Sequence, residues 1–331
     1  MQRNHAMDRR QFIKHGGLAA GLAVGAGTLG SGAANAADNQ DTDEAFPYQN
    51  GLSPWPICMD TSTIRPASLD EKIRICAETG WDGIEIWDGE LNDYEQDGGD
   101  LEELGARLQD LGLSVPNVVA LFNAFPQSDD EFEENLDTQR RRMRQAQAIG
   151  AEHIQTVGTP GRPWEEFDLE RASRMYRRYL EIGLEEYNIN PAVMFLQFMP
   201  HIQRMGQASA IAIDADHPNA KVIPDVFHMY TGGTGFNGLK HLQGSFIAIF
   251  QINDVPSDPP REELEDQHRI FPGDGVLPLE QALQDIHAIG FKGAVSLQLF
   301  NPEYWERDLI DVGREGLEKT VEVVARAFGR A

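Results

Sequence analysis

The sequence predicts a single-domain α/β chain, a (β/α)8 barrel, on three observations. Short apolar runs alternate with longer amphipathic ones from residue 54 onward, the rhythm of β–α–β units around a parallel sheet. Eight such apolar runs occur, the strand count of one closed barrel at this chain length. No G-x-G-x-x-G follows the first run, so a doubly wound dinucleotide fold, the alternative, lacks its fingerprint.

Taken in order, strands are expected over residues 55–59, 83–87, 114–121, 153–157, 192–198, 221–227, 247–252 and 294–300. Each is short, apolar and rich in β-branched or aromatic residues, as a buried parallel strand should be. Helices are expected over 69–79, 101–111, 131–149, 169–187, 278–289 and 309–328, where apolar residues recur at helical spacing. Glycines close three of them immediately before a strand: Gly80, Gly150 and Gly290.

The first residues read differently. Arg9-Arg10-Gln11-Phe12-Ile13-Lys14 precedes a Gly/Ala/Leu run and then Ala34-Asn35-Ala36. This order of charged segment, weakly apolar segment and A-x-A site is that of a cleaved signal peptide, and the paired arginines resemble a twin-arginine export signal. The run is too short and glycine-rich for a membrane span, which takes about 20 strongly apolar residues. Residues 1–36 are therefore expected to be a signal peptide, 37–52 a flexible polar linker and 53–331 the barrel, with the mature protein periplasmic or extracellular and not membrane-bound.

Composition narrows the partners. The chain has 331 residues, 41% of them hydrophobic, enough for a large core, and its 28 Lys+Arg against 53 Asp+Glu give a net charge of −25. Such a chain repels phosphate backbones and anionic lipid surfaces, which argues against nucleic acid as a partner. The acidity fits a solvated surface or adaptation to high salt, and lysine is scarce. Two cysteines, Cys58 and Cys76, are too few for a disulfide scaffold or a cysteine-built zinc site, while leaving a single bridge open.

Barrel chemistry sits at the C-terminal ends of the strands. The expected strand ends carry Asp60, Glu85 with Trp87-Asp88, Asn123, Gln197 with His201, Asp225 with His228, Gln251 with Asn253-Asp254, and Gln298 with Asn301. Polar residues set into apolar strands cost free energy unless satisfied, so their gathering on one rim points to a ligand site.

Several of these segments resemble one known family: Gly83-Ile84-Glu85-Ile86, Asp225-x-x-His228, Ile252-Asn253-Asp254-Val255-Pro256, Arg269-Ile270-Phe271-Pro272-Gly273-Asp274-Gly275-Val276, and Gly293-Ala294-Val295-Ser296-Leu297-x-Leu299-Phe300. Spaced in this way they resemble the xylose isomerase-like TIM-barrel family of sugar phosphate isomerases and epimerases, over essentially everything after residue 53. The resemblance implies a divalent metal (Mn²⁺, Mg²⁺ or Zn²⁺) held by a glutamate, an aspartate, a histidine and a glutamate on strands five to eight, with the glutamates moving a proton beside a ketose carbonyl. At those positions this chain has Gln197, Asp225, Gln251 and Gln298. A glutamine can offer a carbonyl oxygen to a cation but cannot act as a general base, so metal affinity is expected to fall sharply.

Asp225 and His228 are the candidate catalytic pair that remains. Trp55, Glu85, Asn253, Asp254 and Arg269 are candidate substrate contacts, and the acidic stretch 257–269 reads as a lid. Two functions compete: an exported isomerase or epimerase acting on a sugar or keto-sugar, shifted in one version towards a hydratase or lyase; and a non-catalytic sugar-binding or partner-supporting barrel. A small carbohydrate is the expected partner in both, and a homo-oligomer is left open.

Overall fold

A computed structural model describes residues 45–159, 167–199 and 201–330. The expected signal peptide and residues 37–44 of the expected linker lie outside the described residues. The strands are β1 (Ile57–Asp60), β2 (Gly83–Trp87), β3 (Asn117–Leu121), β4 (His153–Thr156), β5 (Asn190–Met194), β6 (Val222–Ile223), β7 (Phe250–Ile252) and β8 (Val295–Leu297). All neighbouring pairs are parallel, in the order β6-β5-β4-β3-β2-β1-β8-β7. Single bridges between Val222 and Ile247 and between Asp225 and Gln251 join β6 to β7, so the sheet closes on itself as a (β/α)8 TIM barrel.

Around it lie α1 (Leu69–Thr79), α2 (Asp88–Gln96), α3 (Leu101–Asp110), α4 (Asp129–Ala148), α5 (Leu169–Glu186), α6 (Met205–Asp214), α7 (Val226–Thr231), α8 (Leu279–Ala288), α9 (Pro302–Trp305) and α10 (Leu309–Ala327). Side chains start most of the long helices by accepting orphan N–H groups: Ser68 at α1, Asp100 at α3, Ser128 at α4, Asp168 at α5 and Asp308 at α10. Gly80 ends α1 at a φ of 91°, a conformation that favours glycine, and turns the chain into β2.

Strand alternation divides the apolar residues between two clusters. Ile57, Met59, Ile84, Ile86, Ile252, Val295 and Leu297 belong to the large core beneath the helices. Cys58, Ala192, Met194, Ile223, Ile249 and Ala294 form a separate cluster, the apolar floor inside the barrel. Above that floor the inward positions become polar. Cys58 and Cys76 are free buried thiols.

The structure departs from the sequence-based elements in three places that bear on the site. Residues 45–52, expected to belong to a flexible linker, pack on the end of the barrel opposite the strand termini. There Phe46 meets Phe328 at 5.3 Å, and Gln49 donates to the Asp82 carboxylate at 2.8 Å. Strand β6 is only two residues long, because the Asp225 carboxylate accepts the N–H groups of Phe227 and His228 and starts α7 instead. Strand β5 stops at Met194, which leaves Gln197 in a turn rather than on the strand.

Candidate active site

The upper interior of the barrel holds a continuous polar network, and Arg269 sits in its centre with 0% exposure. Its Nη1 donates to Asp225 Oδ2 at 2.7 Å and to Gln298 Oε1 at 3.1 Å. Its Nη2 donates to His228 Nε2 at 3.0 Å and to Asp266 Oδ1 at 2.6 Å, and its Nε to the same Asp266 oxygen at 3.0 Å. A guanidinium has five N–H groups, and all five are thereby engaged. The rings of Phe227 and Phe300 pack against it, 4.5 and 5.1 Å from Cζ, a cation–π arrangement that favours a desolvated guanidinium.

Around this cation the titrations diverge. Burial is the largest influence on Asp225 and acts to raise its pKa, but the charge of Arg269, the neighbouring His228 and the hydrogen bonds from Arg269 and the His228 backbone together outweigh it and hold the carboxyl below the usual range. Burial, reinforced by Arg269, pushes His228 down to about 4, so its ring is neutral and free to accept the Arg269 proton. The Gln197 backbone N–H lies 3.4 Å from the other ring nitrogen.

A second group of carboxyls lies on β1 and β2. Asp60 and Glu85 are register partners on these adjacent strands, both wholly buried. Glu85 accepts from Asn117 Nδ2 at 2.7 Å, Gln251 Nε2 at 2.8 Å and Ser296 Oγ at 2.7 Å. Asp60 accepts from the Ser62 N–H, Trp87 Nε1 and Gln298 Nε2 at 2.8, 3.0 and 2.9 Å. Every one of these donors is neutral. Burial, with the neighbouring Asp60 charge, pushes Glu85 up to about 8, and burial raises Asp60 as well. Gln298 couples the two groups, since its amide accepts from Arg269 and donates to Asp60.

The other candidates fall in several places. Asn253 is buried beside Asp225, donating to Oδ1 at 3.4 Å. Asp254 is corrected from a substrate contact to a loop anchor: its carboxylate accepts four backbone N–H groups, from Val255, Gly273, Gly275 and Leu277, at 2.8 to 3.1 Å. Gly275 has to be glycine for this, because a Cβ there would lie 2.3 Å from Asp254 Oδ1. Trp55 is corrected too. It precedes β1, at the opposite end of the barrel, with its indole N–H on the Phe291 carbonyl at 3.0 Å and its ring against Phe291 and Phe328. In the expected lid, Leu264 is buried and Asp266 grips Arg269, so the described lid is fastened down rather than free. Ser296, Asn117 and Asp266 escaped the sequence reading as site residues, and Asp60, named there as a strand end, was given no role in it. Counting alternate positions back from Gln298 would have flagged Ser296.

The four positions implied for a metal do not fit one. Asp225 and Gln298 both bind the guanidinium, Gln251 is turned to Glu85, and Gln197 joins through its backbone. Among the described residues no group of three or more His, Cys, Asp or Glu side chains is arranged to hold a metal ion.

Seven buried amide oxygens, of Asn117, Gln145, Gln155, Asn190, Gln197, Gln251 and Asn253, accept no hydrogen bond among the described residues. Beside the network, a cavity of about 560 Å³ opens on the rim, lined by Thr61, Ser62, Lys72, Trp87, Glu90 and Phe300 among others. Trp87 is both a wall of this cavity and a hydrogen-bond donor to Asp60.

Fold and site together define a (β/α)8 barrel with a polar centre at the C-terminal ends of its strands. The profile of the xylose isomerase-like TIM barrel family matches residues 73–320, and the chain belongs to that family. It is similar to the inosose isomerase of Bacillus licheniformis, 27% identical over 280 residues that cover 81% of this chain and 97% of that protein. It is also similar to the 3-dehydroshikimate dehydratase of Pseudomonas putida, 27% identical over 247 residues, 71% of this chain and 36% of that longer protein. Among solved structures, the IOLI protein with a bound zinc atom superposes with a TM-score of 0.76 at 24% identity, covering 82% of this chain and 99% of that one. An L-ribulose 3-epimerase superposes with a TM-score of 0.66 at 15% identity, covering 82% and 95%.

Proposed function

We propose that this protein acts on a small polyhydroxylated ketone, a sugar or keto-sugar, by moving a proton at the carbon beside the carbonyl. The observation that carries this reading is the pair of adjacent buried carboxyls, Asp60 and Glu85, which neutral donors alone surround. Two such groups on adjacent strands cannot both ionise freely, so one of the pair holds a proton. That is the acid/base capacity which isomerisation, epimerisation and dehydration of hydroxy-ketones all require. The buried amide oxygens without donors suit a ligand rich in hydroxyl groups. The cavity walled by Trp87 gives such a ligand a place on the rim, with the Trp87 indole between it and Asp60. The names of the relatives, an isomerase, a dehydratase and an epimerase, support the same class.

The test is exchange in D₂O, followed by proton NMR, of a panel of ketoses and cyclic polyhydroxy-ketones incubated with the protein. Deuterium should enter beside the carbonyl of at least one of them, and Asp60→Asn should suppress it. Saturation-transfer signals from a sugar without any exchange would favour the second reading, a non-catalytic sugar-binding barrel. The specific observation on that side is the glutamine at three of the positions where the family resemblance implies ionisable metal ligands. Neither exchange nor binding would defeat both. We also propose export by the twin-arginine route, on the Arg9-Arg10 segment and the Ala34-Asn35-Ala36 site; amino-terminal sequencing of the mature protein from its source cells should begin at Ala37.

A further inference from the structure

We infer that the guanidinium of Arg269 is the resident cation of this barrel, doing with a covalently attached +1 charge what the metal implied by the family resemblance would do with a free ion: pairing with the buried Asp225 carboxyl and fixing the amide of Gln298. Three observations carry it. Two of the four positions implied for the metal, Asp225 and Gln298, converge on one nitrogen of Arg269, at 2.7 and 3.1 Å. All five guanidinium N–H groups have acceptors, and two aromatic rings pack against it. The charges also match. The fully buried carboxylate here is Asp225, and the second partner, Asp266, is part-exposed at 33%. A divalent ion at Asp225 would have to displace the guanidinium and break its fully buried ion pair, leaving the part-exposed Asp266 to compensate it, which is unfavourable. The three glutamines fit this arrangement: with a monovalent cation built in, further carboxylates would be buried without compensation. Arg269 is in this sense a positioning residue. None of its N–H groups is left for a ligand while Asp266 holds Nε and Nη2. The inference concerns the cation and not turnover, so it stands or falls separately from the proposed chemistry.

The experiment uses the full chain, with Zn²⁺ and Mn²⁺ alone as probes. Metal content after dialysis, calorimetric titration and thermal melts at millimolar ion are the readouts, alongside NMR of the Arg269 Nε–H. The wild type should retain no stoichiometric metal, show no rise in Tm, and display a slowly exchanging Nε–H resonance that neither ion shifts. The triple variant Arg269→Gln, Gln251→His, Gln298→Glu should bind Zn²⁺ roughly 10–100-fold more tightly than the wild type. Stoichiometric metal in the wild type, or a rapidly exchanging Nε–H, overturns the inference. So does a folded triple variant that gains no affinity. Should the triple variant not fold, the wild-type metal content and the Nε–H exchange decide the matter by themselves.

Discussion

Two sides of the same polar interior bury carboxylates by opposite means. On the β6–β8 side, Asp225 has a cation, Arg269, 2.7 Å away, and it is held ionised although it has no access to water. On the β1–β2 side, Glu85 has three hydrogen bonds, as many as many ionised carboxylates enjoy, yet it is pushed up to about 8. Burial is alike on the two sides; the difference is net charge. Neutral donors soften the desolvation of a carboxylate, and only an opposite charge offsets it. One side is therefore a fixed ion pair suited to orienting groups, and the other a proton-holding pair suited to exchanging one.

The comparison breaks most directly by removing the cation. Arg269→Gln leaves Asp225 buried and unpaired, and should cost about 3–5 kcal/mol in denaturant unfolding at neutral pH. A cost below about 1 kcal/mol, within the range of an exposed ion pair, would show that Asp225 does not depend on it. Asp254 supplies a third case, a buried carboxylate with four backbone donors and no cation. Asp254→Ala should cost about 2–4 kcal/mol, because those N–H groups lose a charged acceptor and the 270–277 loop its anchor.

The two sides should also answer pH with opposite signs. Asp225 has a lowered pKa, so its contribution is present above its unfolded value and is lost as the medium becomes acidic through its folded value. Glu85 has a raised one. The folded protein keeps a proton that the unfolded chain releases, so stability falls as pH rises from 4.5 towards about 8, by at most about 1.4 kcal/mol per pH unit. In melts across that range, Glu85→Gln should flatten the alkaline decline and match or exceed the wild type at pH values above it. A parallel decline in the variant would show that Glu85 is not the group responsible. The smallest effect is expected from Asp60→Asn, which removes the neighbouring charge and should shift the Glu85 decline to lower pH by about one unit. No shift would mean that burial alone sets the Glu85 value.

Which of these features the sequence could reveal follows from their range. The eight strands and the long helices were legible because alternation, amphipathic spacing and helix-ending glycines such as Gly80 are local. Asp225 and His228 stood out as a short motif, and they do meet, through Arg269. Trp55 was misplaced because a strand has two ends, and a residue just before β1 lies at the one away from the site. Asp254 was misread because three of its four donors are 19 to 23 residues away. Asp60 was named as a strand end but given no role, because a single aspartate after an apolar run shows no partner until its register with Glu85 is known.

The sequence alone determined the barrel, its family and the departure from that family's implied metal ligands, because each is written in residue types at fixed spacings. It also supplied one arginine near a lid and several glutamines, without saying what any of them faces. Only the tertiary structure decided that Arg269 enters the centre, takes Asp225 and Gln298 as partners, and leaves Asp60 and Glu85 without a cation. The physical reason is that desolvation and charge compensation depend on which groups a closed sheet brings within about 3 Å of one another, and those groups come from strands far apart in the chain.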